Sequence, residues 1–537
     1  MRLDLLTEQR TQLAPAGLLV SARIGNMVVG LGMIPVLIHF LGGDGFAAWA
    51  LLLATSAAFS ALEIGMALTF VRHAAPLIQQ GNWPQVDVLL KHTVMILVIA
   101  FGLAAPVVFW FSGSVARQLQ FPDGEWLSAG QLIVFVYAAV ALRALLQFGA
   151  LTFNAARRFR ALAAVSFLQS LASNCAAAIA AIWTRRVDVT LVTYWATHMV
   201  VMTATCIASR RLFVGTAAPA LPRFGLLKEL VSHGLKIQVY ECAQIINFQF
   251  DKFLIASFMG LWAVAPYEVG NRSVLALRSI PSSGLDSFLA TASIGRESGV
   301  DIWPRYQSAT RLAATAVMVF MIAPLAVAPV FLYAWTGEMG YVARWVFLGL
   351  LLGSVGNVLA LPAAAMAQAA GRADIQARSA IVSMLINIPL SLILVLKWEL
   401  AGAAAGTAVA MLSGSALLLF DVHRAYRQSL SATLRVLWQF WPLLLVCIVW
   451  GTLVYVPFEY WVSSLDPSTR YAREMRLYPA LIAGAAYLGC LASMAAVQLR
   501  RGGLSQEQWD LLSHLIRFKW FVAYCASKTA NPRNLAS

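Results

Sequence analysis

Fourteen long apolar stretches dominate this chain of 537 residues. A helix needs roughly 20 mainly apolar residues to cross a bilayer, and most of the stretches have that length. The chain is 60% hydrophobic and only 12% charged, whereas soluble domains carry about 25% charged residues. We therefore predict an all-α integral membrane protein with about 14 transmembrane helices. The stretches lie at about 14–41, 46–71, 92–112, 129–153, 162–183, 189–208, 234–257, 262–294, 308–333, 342–368, 379–396, 401–421, 436–457 and 477–498.

Basic residues between the stretches predict the orientation of the chain. If the N-terminus is cytoplasmic, the inner segments hold 25 of the 39 Lys and Arg residues and the outer segments hold 8. An excess of Lys and Arg in cytoplasmic loops is the rule for multi-pass proteins. We therefore expect both termini in the cytoplasm, and the net charge of +15 indicates topology and not a nucleic-acid partner.

A polar break and a weak internal repeat predict how the helices are grouped. Arg158 is followed by Asn174 after 16 residues, and Arg372 is followed by Asn387 after 15. Duplicated halves are common in transporters, although chance similarity between Ala-rich helices would give the same pattern. We predict an N-lobe with helices 1–6, a cytoplasmic linker, a C-lobe with helices 7–12, helices 13–14 and a cytoplasmic amphipathic tail, at residues 1–208, 209–233, 234–421, 422–498 and 499–537.

The predicted tail contains one amphipathic segment at about 504–520. Its apolar side chains share one helical face and are Trp509, Leu512, Ile516 and Trp520. That spacing suits a helix lying on the inner leaflet, and a solvated tail packed against the protein fits it equally well.

Many ionisable residues fall inside the predicted helices, where each costs about 2.5–3.5 kcal/mol at the bilayer centre. They therefore need partners or a water-filled cavity. The bases are Arg23, Arg143, Lys236, Lys252, Arg272 and Arg278, and the acids are Glu63, Glu241, Asp251, Glu268 and Asp286.

Two interpretations of these charges stay open. Mutual pairing would make them structural, for example Glu241 with Lys252 and Glu268 with Arg272. A cavity that binds an anion would instead use Arg, whose planar donor fork suits phosphate. The candidates for binding an anionic head group are Arg23, Arg272, Arg143, Lys236 and Arg278. The candidates for ion coupling or ion pairing are Glu63, Asp251, Lys252, Glu241 and Glu268.

Uncharged polar residues extend these positions into stripes along several helices. Positions 236, 240, 244, 247 and 251 of helix 7 share one helical face. Because none of the stripes can face lipid cheaply, they predict a shared polar interior. The predicted polar cavity residues are Asn26, Tyr240, Gln244, Asn247 and Asn271.

Signals of enzymatic chemistry are absent from the sequence. It contains no nucleotide-binding loop, catalytic-triad spacing or cluster with metal-ligand spacing. The six cysteines are dispersed, which argues against a disulfide framework or a metal site. We therefore predict a protein that is not an enzyme and that has no cofactor and no metal.

Several segments resemble bacterial polysaccharide flippases of the Wzx type, which belong to the multidrug/oligosaccharidyl-lipid/polysaccharide exporter (MOP) superfamily. The resemblance covers roughly residues 15–425. Its motifs are Pro35–Gly43 with Gly45–Trp49 and Leu62–Gly65, then Phe250–Lys252 with Gly260, Tyr267, Gly270 and Arg272, then Gly371–Arg372, Asn387 and Gly402–Gly406.

The resemblance implies two six-helix lobes around a central cavity that works by alternating access. It implies an undecaprenyl-pyrophosphate-linked oligosaccharide as substrate, moved to the periplasmic leaflet of a bacterial inner membrane for O-antigen or exopolysaccharide synthesis. Membrane lipids and other polysaccharide-assembly proteins would be the partners. Related lipid II flippases line their cavity with arginines on helices 1 and 8, where Arg23 and Arg272 fall. A cation-coupled drug exporter of the same superfamily and a polysaccharide polymerase or ligase are the alternatives.

Overall fold

The described part of the chain is built from α-helices joined by short turns and contains no strand. A computed structural model describes residues 2–63, 65–124, 126–213, 224–297, 303–465 and 476–500. The helices are α1 (Arg2–Phe59), α2 (Met66–Gln79), α3 (Trp83–Gln118), α4 (Ala129–Leu146), α5 (Phe148–Ala155), α6 (Phe159–Thr184), α7 (Val187–Arg210), α8 (Phe224–Met259), α9 (Val264–Glu297), α10 (Trp303–Val317), α11 (Ala323–Leu325), α12 (Ala328–Thr336), α13 (Glu338–Leu359), α14 (Leu361–Ala369), α15 (Ala373–Ala425), α16 (Leu430–Trp438), α17 (Trp441–Ser464) and α18 (Leu477–Arg500).

Ten segments of the described chain are long and apolar enough to cross a membrane. Two of them each correspond to two of the predicted stretches: Asp374–Ala425 contains both of its stretches, and Ser21–Glu63 covers most of 14–41 and of 46–71. Gly42 (φ 75°) divides the first segment, and Glu399 (φ 52°) divides the second. The predicted seventh and eighth stretches form α8 and α9, which are not among the ten. Together these helices account for the fourteen stretches, and the predicted all-α membrane class is confirmed.

The outer surface of the helices is apolar, as a bilayer requires. Leu103 and Leu488 are among the many large apolar side chains that remain exposed. Exposed aromatic rings cluster near helix ends, with Trp110 on α3 and Trp183 on α6. Rings at this position are typical of the two membrane–water interfaces. The chain is therefore a multi-pass membrane protein.

The first of two compact units contains the polar residues discussed below. It comprises Met1–Ser279, Trp345–Gly353 and Gln376–Gly414. Within it, α1 packs along α6, α6 packs on α7, and α3 packs on α4. Every residue from Ala47 to Leu52 is buried, so the second half of α1 forms the centre of this unit.

The second compact unit comprises Ile280–Arg344, Ser354–Ile375 and Ser415–Ser537. Within it, α18 packs on α12 and α17, and α16 packs on α10. The predicted division into lobes, linker and tail stays a prediction. Residues 214–223 of the predicted linker and residues 501–537 of the predicted tail, including its amphipathic segment, lie outside the described residues.

Candidate functional site

A buried ion-pair network joins α8 to α9. Glu268 accepts from Lys252 Nζ at 2.7 Å and from Arg272 Nε at 2.6 Å. The side chains of Glu268 and Lys252 are 1% and 4% exposed, whereas that of Arg272 is 34% exposed. Asn271 Nδ2 adds a third hydrogen bond to Glu268 at 3.3 Å. The predicted Glu268–Arg272 pair is present, but Lys252 pairs with Glu268 and not with Glu241.

The turn between α8 and α9 explains this register. Gly260 has φ 91°, a backbone conformation that favours glycine, and a short 3-10 turn follows at Leu261–Ala263. The chain reverses here, so residues at similar distances on either side of Gly260 meet. Lys252 and Glu268 lie eight positions before and after it.

A cavity of about 390 Å³ opens beside this network. It is lined by α1, α8 and α9, and its charged lining residues are three cations and one carboxylate. The cationic excess makes the cavity suited to an anion. Its charged and amide-bearing residues are Arg23, Lys252, Glu268, Arg272, Asn26, Gln249 and Asn271.

A second cavity of about 200 Å³ adjoins the first and shares Asn26, Gly30, Leu53 and Arg272 with it. The remaining lining comes from α1, α6 and α7. Its members are Met33, Ile34, Leu37, Phe46, Trp49, Ser170, Asn174 and Tyr194. None of these described lining residues carries a carboxylate.

Asp251 lies in a second buried cluster, in which its described hydrogen-bond partners are uncharged hydroxyl groups. Its carboxylate accepts from the hydroxyls of Thr407 and of Tyr267, the latter at 2.6 Å. Thr407 Oγ1 also lies 3.2 Å from Asn387 Oδ1, and Ser391 donates to that Asn387 oxygen at 2.7 Å. Asp251 Oδ1 accepts no hydrogen bond from the described residues. This oxygen-rich cluster could hold a proton or a hard monovalent cation.

Within the described residues, no three His, Cys, Asp or Glu side chains are grouped so as to hold a metal ion.

Glu63 and Arg143 form another internal pair. The Arg143 guanidinium donates to Glu63, and Gln147 Nε2 donates to the same carboxylate at 2.9 Å. Neither Glu63 nor Arg143 is among the lining residues of the two cavities. The sequence predicted Arg143 as a ligand for an anionic head group, and its pairing with Glu63 argues against that role.

Other predicted site residues are dispersed. Arg278 lies over the Phe248 ring at 4.7 Å, outside the lining of the two cavities. Tyr240 accepts from Gln376 at 3.1 Å. Asn247 is buried and donates to the Ala380 carbonyl at 3.4 Å. Both Tyr240 and Asn247 thus contact α15. The predicted stripe of Tyr240, Gln244 and Asn247 does not line either cavity. The Lys236 side chain lies outside the described residues.

Several residues at these sites were not among the predicted site residues. Ser391 and Thr407 lie in apolar helices, where single hydroxyls are indistinguishable from packing residues. Trp49 and Tyr194 likewise resemble ordinary aromatic core. Asn174 stood out only through the weak repeat, and Asn387 through the repeat and the family resemblance.

Comparison with solved structures finds transporters of the same fold. The inward closed conformation of the lipid II flippase MurJ matches with a TM-score of 0.67 and 13% identity, over 90% of this chain and 99% of that one. A eukaryotic MATE transporter gives 0.55 and 16%, over 78% and 96%. A MOP superfamily transporter from Pyrococcus furiosus gives 0.54 and 14%, over 77% and 96%. Sequence comparison matches no family model and no curated protein. At these identities the likeness concerns structure, and the chain has the fold of MOP superfamily transporters.

Proposed function

We propose that this protein is a flippase for undecaprenyl-pyrophosphate-linked oligosaccharides. It would move them from the cytoplasmic to the periplasmic leaflet of a bacterial inner membrane, for surface polysaccharide synthesis, by alternating access. The observation that supports this is the cationic cavity of about 390 Å³ between α1, α8 and α9 of a multi-pass membrane protein. A diphosphate group has the charge that such a cavity can compensate.

The proposed head-group ligands are Arg23 and Arg272. A guanidinium has five N–H donors in a fork that matches two phosphate oxygens, and the contact with Glu268 uses the Nε–H of Arg272. Glu268 therefore holds Arg272 in place while the rest of the fork can meet a ligand. Such preorganisation lowers the entropic cost of binding. Lys252 adds positive charge beneath the site.

Cation coupling is proposed at Asp251. Its carboxylate is buried with one oxygen that accepts no hydrogen bond from the described residues, and the hydroxyls of Tyr267 and Thr407 donate to the other oxygen. A bound proton or sodium ion would satisfy that oxygen and neutralise the charge.

A cation-coupled drug exporter is the second candidate function, and the Asp251 cluster favours it as much as it favours a coupled flippase. The two candidates differ in the main cavity, where the cationic lining disfavours cationic drugs and favours an anionic lipid head group.

The test is transport in vesicles containing the purified protein. The probe is a fluorescent undecaprenyl-diphosphate oligosaccharide, whose flipping is followed by quenching from one side. Arg272→Gln should slow flipping about tenfold or more, since charge-assisted hydrogen bonds contribute about 1.5–3 kcal/mol. The control is Arg372→Gln, which removes an exposed pair with Asp374 and should leave the rate unchanged.

Two results would contradict the proposal. One is a wild-type flipping rate in Arg272→Gln vesicles that contain normal amounts of protein. The other is a wild-type protein that leaves the lipid in place but exports a cationic dye when a sodium or proton gradient is imposed, which would establish the second candidate.

A further inference from the structure

We propose that the second cavity, of about 200 Å³, binds an uncharged sugar ring of the substrate while the larger cavity binds the diphosphate. This inference rests on the proposed function, because it divides one lipid-linked head group between two adjoining cavities.

The chemistry of the second cavity differs from that of the first. Asn174 and Ser170 on α6 supply an amide and a hydroxyl, and Trp49 and Tyr194 supply aromatic rings. Of the described lining residues only Arg272 is charged, and it lies where the two cavities meet. Amides and hydroxyls suit the hydroxyls of a sugar, while apolar ring surfaces suit its C–H faces. The lining therefore fits a neutral polyol better than a phosphate.

Asn26 lies at the border of the two cavities and favours a sugar over a phosphate as its ligand. Its Nδ2 donates to Ser166 Oγ at 3.1 Å, whereas its buried Oδ1 accepts no hydrogen bond from the described residues. A buried acceptor without a donor is costly. Ionised phosphate oxygens carry no hydrogen and cannot satisfy it, but a sugar hydroxyl or acetamido N–H can.

The size and the apolar side chains of the second cavity limit which part of the substrate it can bind. Its volume of about 200 Å³ is about half that of the first cavity, about 390 Å³, which favours one sugar ring over a chain of several. Ile34, Leu37 and Phe46 line it and are almost completely buried. These apolar side chains form one wall of the cavity and offer no partner to a charged group.

Equilibrium binding to the full-length purified protein tests whether the diphosphate and the sugar occupy separate cavities. The two probes are undecaprenyl diphosphate capped with a methyl group and the same lipid carrying one glucose instead, so that both diphosphates carry the same charge. Wild type should bind the glucosylated lipid about tenfold more tightly, the gain expected from one or two hydrogen bonds of about 0.5–1.5 kcal/mol each. Asn174→Leu should remove that preference and leave affinity for the sugar-free lipid unchanged, which also reports correct folding.

The matched control is Asn154→Leu on α5, because Asn154 is outside the lining of both cavities and its substitution should keep the preference. Equal affinity of wild type for the two probes, or an equal loss of both in Asn174→Leu, would overturn the sugar pocket alone. Failure of the proposed function gives a different result: wild type would bind neither lipid.

Discussion

Glu268 shows how a single residue serves both stability and the proposed binding site. It is the one carboxylate among the described lining residues of the larger cavity, and it is hydrogen-bonded to two cations and an amide. A buried charge is tolerated only with such partners. Glu268 carries one negative charge and is shared by Lys252 and Arg272. The cavity therefore keeps a net positive charge.

Neutralising Glu268 should therefore destabilise the protein. In Glu268→Gln, Lys252 remains buried without a counter-charge, and breaking a buried pair in this way costs about 3–5 kcal/mol. The measurement is thermal unfolding of the detergent-purified protein. Adding Lys252→Met to Glu268→Gln removes the stranded charge and should recover most of the loss. If the double variant is no more stable than the single one, pairing with Lys252 is not the reason for burying Glu268.

Single residues also show how far the sequence alone could identify the charged residues that line the cavity. The cost of intramembrane charge singled out Arg23, Arg272 and Glu268 from the sequence alone, and all three line one cavity. Arg143 has the same charge and an equally apolar helix, yet it pairs with Glu63. Which bases face a cavity depends on the rotation and register of helices, which no local pattern in one helix determines.

Among the elements, the junction between α1 and α2 fixes the position of α8. Gly65 has φ 58°, and its N–H donates to Gln238 Oε1 at 2.7 Å. A Cβ added there would lie 2.6 Å from the Gly234 carbonyl oxygen and 3.0 Å from Ile237 Cβ. The absence of a side chain therefore allows the backbones of the junction and α8 to touch.

Gly65→Ala tests this contact, with Gly81→Ala as its matched control. Gly81 has φ 69° but nothing within 4 Å of an added Cβ, so both variants share a left-handed strain of about 1–2 kcal/mol. Gly65→Ala should lose a further 1–3 kcal/mol or so, the usual cost of overpacking. Thermal unfolding of the two variants measures the difference. Equal losses would show that α8 moves aside freely.

Helices α8 and α9 also show what hydropathy reveals and what it misses. Their stretches were the least apolar of the fourteen, yet both fold as helices because the polar side chains bind one another, as Lys252 and Glu268 do. The sequence predicted the helices from their length and periodicity. It did not predict that Asp251 would meet Thr407 of α15, because that contact joins residues 156 positions apart.

For the whole molecule, the charge of the proposed substrate and the membrane potential together favour outward transport. The diphosphate of the proposed substrate carries about two negative charges. An inside-negative potential favours outward movement of each charge by about 2.3 kcal/mol per 100 mV. At 100 mV the membrane would supply roughly 4–5 kcal/mol for export.

Outward flipping should therefore be faster when an inside-negative potential is imposed on vesicles containing the protein. A potassium gradient with valinomycin sets the potential, and the fluorescent diphosphate lipid reports the rate, which should rise at least tenfold between zero and 100 mV. Protein-free vesicles at the same potential control for leakage of the lipid. Reversing the gradient should slow the outward rate, because the charge then moves against the field. An unchanged rate at both signs would mean that the head group crosses without net charge, and potential would then not drive export.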